Sequence, residues 1–448
     1  IDVTLRADGS SNFAKNNRWG YFPSVSAGWN FSDEDFMANI DWLTFGKLRA
    51  SWGQNGNQSI PNFIYLSNIE YLSKGYYFGP DKLVSSSTAI PANIPNSDVK
   101  WETSEQLNLG IDTRLLNSRL GVSFDWYKKT TKDWLVVAPV LGTSGASAPY
   151  INGGDVENKG YELMISWNDK VRDFTYDITV SGSHNQNKVT RLDNAEGIIT
   201  GSVNVIAQNT SYVSRVSVGQ PIGYFYDGVF QNQKEVDAYV TSKGSPILIG
   251  SEENTPRRPG DVRFIDQNGD GVIDDEDKVM LGSPHPDFEL GLQLNAEYKG
   301  FYMNSTLVGK FGMQVMQSYR DFAGLPMENY PSSAMNRWHG EGTSNKLPRL
   351  SAVTNANNSY VSDIYLHDAD FLRISNLTFG YRFDNLLRTI EWMQSAAIYV
   401  SFNNLYTITK YDGMDSEIGY APDSWASGID LGLYPLPRTV MFGVNLTF

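Results

Sequence analysis

Twelve consecutive positions carry the residues in this sequence whose types and spacing could do chemistry. Asp266, Asn268, Asp270, Val272, Asp274 and Asp277, with Gly271 among them, follow the D-x-N-x-D-G-x-I-D-x-x-D spacing of an EF-hand calcium loop. Oxygens at alternating positions converge on one cation, Val272 offers its backbone carbonyl, and Gly271 permits the sharp turn. The last ligand position is Asp277, not Glu. Its shorter arm reaches one coordination site or acts through water, so the expected affinity is weak and suited to millimolar calcium outside a cell. The flanks read as strand and loop, not as the two helices of a full EF-hand. A metal-free reading stands beside this one, in which the same side chains form an Asx-turn-rich hairpin and satisfy the backbone.

Other chemistry is scarce, and the chain is not expected to be an enzyme. There is no G-x-S-x-G, H-E-x-x-H, P-loop or G-x-G-x-x-G pattern, and without Cys no thiol nucleophile exists. His184, His285, His339 and His367 are scattered without metal-ligand spacing. Carboxylates are so common that no pair singles itself out for glycosidase work. Tyr76, Tyr77, Trp338, Tyr360, Tyr411, Tyr420 and Trp425 could stack on sugars or grip peptides, but loop packing accounts for such residues equally well. No substrate site is assigned.

The elements that must carry these loops show a period of two. At the C-terminus Val440, Phe442, Val444, Leu446 and Phe448 alternate with Thr439, Met441, Gly443, Asn445 and Thr447. In 288–298 the residues Phe288, Leu290, Leu292, Leu294, Ala296 and Tyr298 oppose Glu289, Gly291, Gln293, Asn295 and Glu297. No helix tolerates that register. Similar runs at 1–8, 23–31, 44–52, 103–115, 120–129, 160–168, 174–184, 301–311, 371–383 and 396–402 bring the tally to roughly 12 strands. About 10 residues at 3.3 Å each, tilted some 40°, cover the apolar band of an outer-membrane barrel.

A soluble β-sandwich or propeller would alternate in the same way. Connection lengths separate the two. Tight links at Asn117, 169–173, 299–300 and 384–395 alternate with long ones at 53–100, 130–156, 188–286, 314–370 and 403–438, which places short turns on one rim and long loops on the other. Phe31, Trp167, Phe174, Tyr298, Phe301, Phe383 and Phe448 share the short-turn end in the apolar register, as an interfacial aromatic girdle requires. Arg6, Asp112, Arg114, Glu162, Asp177 and Lys310 fall on the opposite face, which suits a wet lumen.

Composition bounds the partners. The formal net charge of −14, with no basic run, excludes nucleic acid as a partner. No stretch is long and apolar enough for a helical span, the longest patch at 134–141 being interrupted by Pro139. Zero Cys suits export through an oxidising space. Ile1 opens inside a strand-like run with neither initiator Met nor signal peptide, so the natural N-terminus is expected to lie elsewhere.

Several segments resemble the SusC/RagA family of TonB-linked outer-membrane proteins of the Bacteroidetes. They are LRADGSSNFAKNNRWGYFPSVSAGWNFSDEDFM from Leu5, KLRASWGQNGN from Lys47, WETSEQLNLGID from Trp101, NKGYEL from Asn158, GDVRFIDQNGDGVIDDEDKVMLGSPHPDF from Gly260, DADFLRISNLTFGYRF from Asp368, NNLYTITKYDGMDSE from Asn403 and YPLPRTVMFGVNLTF closing at Phe448. The resemblance implies a transmembrane antiparallel β-barrel of about 22 strands with an N-terminal plug, of which 1–448 would be the C-terminal part without plug or first strands. It also implies a SusD-like surface lipoprotein on the long loops, energy from TonB, and import of a glycan or an oligopeptide across the bacterial outer membrane. Phe448 is similar to the terminal aromatic that barrel-assembly machinery recognises. Two other readings stay open: a soluble secreted β-rich protein that binds or degrades glycans, and a passive porin. The isolated part, with two unpaired strand edges, is not expected to fold stably alone.

Overall fold

The computed structural model describes residues 1–448 apart from 79–83, 139, 141, 194–197, 203–208, 214–219, 250–256, 319–329, 331, 352–357, 359, 384–392 and 418–427. Alternating apolar and polar side chains produce one antiparallel sheet of twelve strands. In chain order these are β1 (Asp2–Gly9), β2 (Trp19–Trp29), β3 (Leu43–Asn57), β4 (Glu102–Leu115), β5 (Leu120–Lys132), β6 (Gly154–Val171), β7 (Phe174–Leu192), β8 (Phe288–Tyr298), β9 (Phe301–Phe311), β10 (Phe371–Arg382), β11 (Ser395–Thr409) and β12 (Thr439–Thr447). Each lies beside its neighbours in sequence, so the sheet is a meander without crossovers. All twelve expected strands are present. No helix among the described residues is long and apolar enough to cross a membrane.

The strands outrun the sequence pattern at the long-loop rim. β6 begins before the expected 160 and β7 continues past 184 to Leu192. There Glu157, Asn158 and Lys159 pair with Lys188, Asn187 and Gln186, so both faces are polar and alternation disappears while the backbone ladder continues. The short turns are tight for a backbone reason. Lys299 and Gly300 have φ of 49° and 90°, the paired positive values of a type I′ hairpin, whose twist matches that of the strands. The rims do not separate strictly by length: 10–18, between β1 and β2 on the long-loop rim, is shorter than 30–42 and 383–394 on the other.

Two compact units divide the chain, the first comprising Ile1–Ile199, Val213–Ser217 and Leu290–Asn304, the second Thr200–Tyr212, Val218–Glu289 and Ser305–Phe448. In the first, cross-strand register puts like with like. Val25 opposes Trp52, Leu48 opposes Ile111, Phe124 opposes Leu163, and Trp167 opposes Ile178. That apolar face stays open, with Trp29 at 48% and Phe301 at 64% exposure. The other face is polar, except where Phe22 turns inward against Phe13 and Trp101 beneath the loops.

In the second unit, the connections at 218–289 and 312–370 build a core of their own. Tyr224, Val262, Phe264, Ile273, Met316 and Tyr365 are among its buried members, and Ile429, from the connection between β11 and β12, joins them. β10 departs from the expected single alternation over 371–383. Its register against β11 slips between Ile374 and Asn376, where Asn404 and Leu405 of β11 oppose the single Ser375, so β11 carries the extra residue of a bulge across which the faces change. Leu377, Phe379 and Tyr381 share the open apolar face with Val400 and Ile398, whereas Phe371 and Arg373 are buried on the polar side.

The proposed girdle residues divide. Trp167, Phe174, Tyr298 and Phe301 stand on the apolar face of their strands. Phe31 lies past the end of β2 in a 3-10 turn, Phe31–Asp33, and its ring covers Gly46, where a Cβ would come within 2.4 Å. Phe383 and Phe448 each follow the last residue of their strand.

Candidate functional site

The acidic segment lies in the connection between β7 and β8. The strand Val262–Phe264 leads in and Val279–Met280 leads out, in keeping with the expected absence of EF-hand helices. Ile273 is fully buried among the second unit's core residues and anchors the loop. Val272 and Ile273 also pair in parallel with Leu248 and Ile249, which holds the middle of the loop as a short strand.

The side chains then close a series of Asx-type turns. Asp266 accepts the N–H of Gly269 at 2.7 Å on Oδ1 and that of Gly271 at 2.9 Å on Oδ2. Asn268 Oδ1 accepts from Asp270 N at 2.9 Å, and Asp270 Oδ1 from Val272 N at 2.8 Å. Asp277, fully buried, gathers Gln267 N on Oδ1 at 2.7 Å and Asp274 N on Oδ2 at 2.9 Å, and Asp274 caps the short turn Asp275–Asp277. Gly269 and Gly271 have φ of 76° and 94°, conformations that side chains rarely adopt.

The loop is dense in negative charge. Asp266, Asp270, Asp274, Asp275, Glu276 and Asp277 share it with Lys278, which pairs with Asp275 at 2.8 Å. Carboxylate, amide and backbone oxygens are the donors a hard cation takes, and a carboxylate oxygen holding one N–H keeps a second lone pair. By donor chemistry the residues fit calcium. By placement they are held by the turns, and among the described residues no three of His, Cys, Asp and Glu are gathered to hold a metal ion.

Sequence reasoning singled out Asp112 but missed its partner. On the polar face of β3 to β5, Arg49 donates to Asp112 through Nε at 2.6 Å and through Nη2 at 3.1 Å, and to Asp125 at 2.9 Å, while Ser123 donates to Asp112 at 2.6 Å. Gly110 makes room, since a Cβ there would come within 2.4 Å of Asp125 and 2.8 Å of Arg49. Of the other charges placed on this face, Arg6 pairs with Asp8, Asn295 donates to Asp177, and Lys310 lies 3.8 Å from Glu289. Period-two parity could find the face. It carries no information on which opposite charges meet across strands distant in sequence.

Also missed was Arg373, 3% exposed, which donates to Thr407 at 2.9 Å, Glu417 at 2.7 Å and Asp415 at 2.5 Å. Asp363 was missed as well. Its carboxylate accepts Tyr226 N at 2.8 Å, and burial pushes its pKa up from the usual carboxylate range. Tyr239 donates to the Phe264 carbonyl at 2.5 Å, and its hydroxyl pKa is pushed up to about 12 by burial.

The loop aromatics within view serve packing. Tyr360 is edge-on to Tyr224 and Phe264, Trp338 covers Gly260, and Tyr411 is buried with its hydroxyl on Asp430 at 2.6 Å. The side chains of Tyr76, Tyr77, Tyr420 and Trp425 lie outside the described residues. The histidines do not gather: His184 packs on Tyr161, His367 faces Asp412 and His339 faces the Arg337 carbonyl.

An antiparallel meander with an open apolar face, a polar face and long loops on one rim is the architecture of a membrane β-barrel wall. Residues 1–266 match the family described as TonB dependent receptor-like, beta-barrel, and the chain belongs to that family. Within it, the chain is similar to TonB-dependent receptor SusC of Bacteroides thetaiotaomicron, 33% identical over 457 residues that cover 99% of this chain and 42% of the relative. It is also 33% identical to TonB-dependent receptor P3 of Formosa agariphila over 454 residues, covering 99% and 43% respectively. Among solved structures, that of the RagAB peptide transporter shares the fold at a TM-score of 0.79 and 21% identity, over 100% of this chain and 45% of that one. The chain therefore spans less than half the length of these relatives.

Proposed function

We propose that the protein to which these residues belong imports a large nutrient across the bacterial outer membrane, energised by TonB and working with a SusD-like surface lipoprotein. The observation that carries this reading is a sheet whose apolar face is open and whose other face is lined by Arg49, Asp112, Asp125 and Lys310, in a chain of the TonB-dependent receptor family. A soluble glycan-binding protein would cover the apolar face with a second protein layer. The relatives are named as receptors, which supports transport over catalysis.

The cargo is a glycan or else an oligopeptide. Loops rich in aromatic and amide side chains support the first, and the fold shared with a peptide transporter supports the second. Calcium in the 266–277 loop is part of the proposal, held by Asp266, Asn268, Asp270, Asp274 and Asp277 with the Val272 carbonyl, and it would stiffen an external loop against the lipoprotein. Deleting the gene should abolish growth of the source bacterium on one polymeric nutrient while growth on its monomer continues, and disabling TonB should reproduce the defect. Undiminished growth on every polymer would refute import.

A further inference from the structure

A basic cluster stands on the apolar side of the sheet in the first unit, at the long-loop end of β5, β6 and β7. Counting in twos from Phe124, Leu163 and Ile178 on that side, β5 continues to Trp126 and Lys128, β6 to Tyr161 and Lys159, and β7 to His184, Gln186 and Lys188. Trp126 opposes Tyr161, and Tyr161 opposes His184 with ring centroids 5.2 Å apart, so a row of rings closes the apolar register. From Phe174 to His184, β7 climbs about 25 Å at roughly 3.3 Å per residue and a tilt of about 40°, the height of the apolar band of a membrane barrel. The lysines therefore begin where hydrocarbon ends.

Strand register makes this cluster cationic. Lys128 stands directly opposite Lys159, and like charges in opposite positions destabilise a ladder. Glu157 takes Lys128 at 2.8 Å, and Glu105 takes Lys132 at 2.6 Å on the same side. Lys159 and Lys188 are exposed and in no ion pair among the described residues. Lys159 opposes Gln186, two residues short of Lys188 on β7, and such diagonal neighbours on one face lie about 7–8 Å apart. Ammonium groups on flexible four-carbon stems converge on one anion across that gap. Their excess is local, since the chain as a whole carries a net charge of −14.

A molecule that fits both parts of this surface is anionic at the height of the lysines and apolar beneath them. We infer that Lys159 and Lys188 hold the phosphate of a phosphorylated glycolipid of the outer leaflet, with Gln186 between them and the acyl chains lying along Leu163 and Val180. Apolar register directly beneath the ammonium groups selects a lipid over free phosphate. The contact rests on the outer-membrane reading above, in which the long-loop rim faces outward, and it is independent of the cargo.

Native mass spectrometry of the full-length protein in detergent tests this with three probes: lipid A carrying its phosphates, the same lipid dephosphorylated, and inorganic phosphate. The phosphorylated lipid should bind, and Lys159→Gln with Lys188→Gln together should weaken it about thirtyfold, at roughly fivefold per lysine. Lys129→Gln, which opposes Asn158 on the other side of the sheet, should leave binding unchanged. Heat-modifiable electrophoresis shows that each variant is folded. No binding of the phosphorylated lipid, equal binding of the dephosphorylated one, an undiminished double variant, an equal loss in Lys129→Gln, or displacement by equimolar inorganic phosphate would overturn the contact. Binding is read without nutrient, lipoprotein or TonB, so its failure leaves import standing, and a growth experiment that refutes import leaves the lipid measurement intact.

Discussion

Asp363 shows how one residue couples loop structure to pH. Its carboxylate closes the Tyr226 N–H in a half-buried place, and burial disfavours its charged form. A folded-state pKa raised above the unfolded value means that the group's contribution to stability is full below the ordinary carboxylate range. That contribution is lost as pH rises through the raised value. Asp363→Asn keeps an oxygen for Tyr226 and removes the charge, so it should melt higher than the parent at pH 7, with the gap closing towards pH 3. A lower melting temperature at pH 7 would show that the charge is needed. At the same scale, calorimetric titration of the intact protein with millimolar calcium should release or absorb heat, and Asp270→Ala should remove the signal. Absence of heat in the parent protein would leave the Asx-turn hairpin as the whole account of 266–277. The spacing was legible in the sequence because ligand positions are local. The burial of Asp277 and the pinning of Val272 by Leu248 were not, since both come from other segments packing on the loop.

At the scale of the element, β8 states the two-face argument in its simplest form. Leu292 lies in the apolar register and Gln293 in the polar one. Leu292→Arg should cost about 2–4 kcal/mol if that side meets hydrocarbon near the midplane, whereas Gln293→Arg should be tolerated. Urea titration of the folded protein in lipid vesicles, read by heat-modifiable electrophoresis, measures both. Equal sensitivity at the two positions would mean that the faces are assigned wrongly. β10 shows where alternation alone misleads, because its faces change across the bulge in which Asn404 and Leu405 of β11 oppose the single Ser375. On the near side of it Arg373 lies on the polar side and meets Asp415 and Glu417. A bulge is paid in one unpaired residue and leaves no composition signal, so it was invisible before the register was known.

For the whole molecule, the ends of the sheet matter most. β1 and β12 each have a single neighbour in the strand order, so 1–448 by itself presents two edges of unpaired backbone groups. In hydrocarbon each unmet N–H or C=O costs several kcal/mol. Residues 1–448 produced alone and refolded into detergent should therefore give no heat-modifiable band, whereas the full-length protein should; a stable band from 1–448 alone would show that the edges are satisfied within it. Alternation, turn residues and loop lengths by themselves determined roughly twelve strands, the short-turn and long-loop rims and, β10 apart, the two faces, because each follows from local stereochemistry and a period of two. Tertiary structure alone decided the reach of β6 and β7 past the apolar band, the bulge between β10 and β11, the meeting of Arg49 with Asp112 and Asp125, and the buried core under the acidic loop. Those depend on contacts between residues far apart in the chain, and a one-dimensional pattern holds no distance between them.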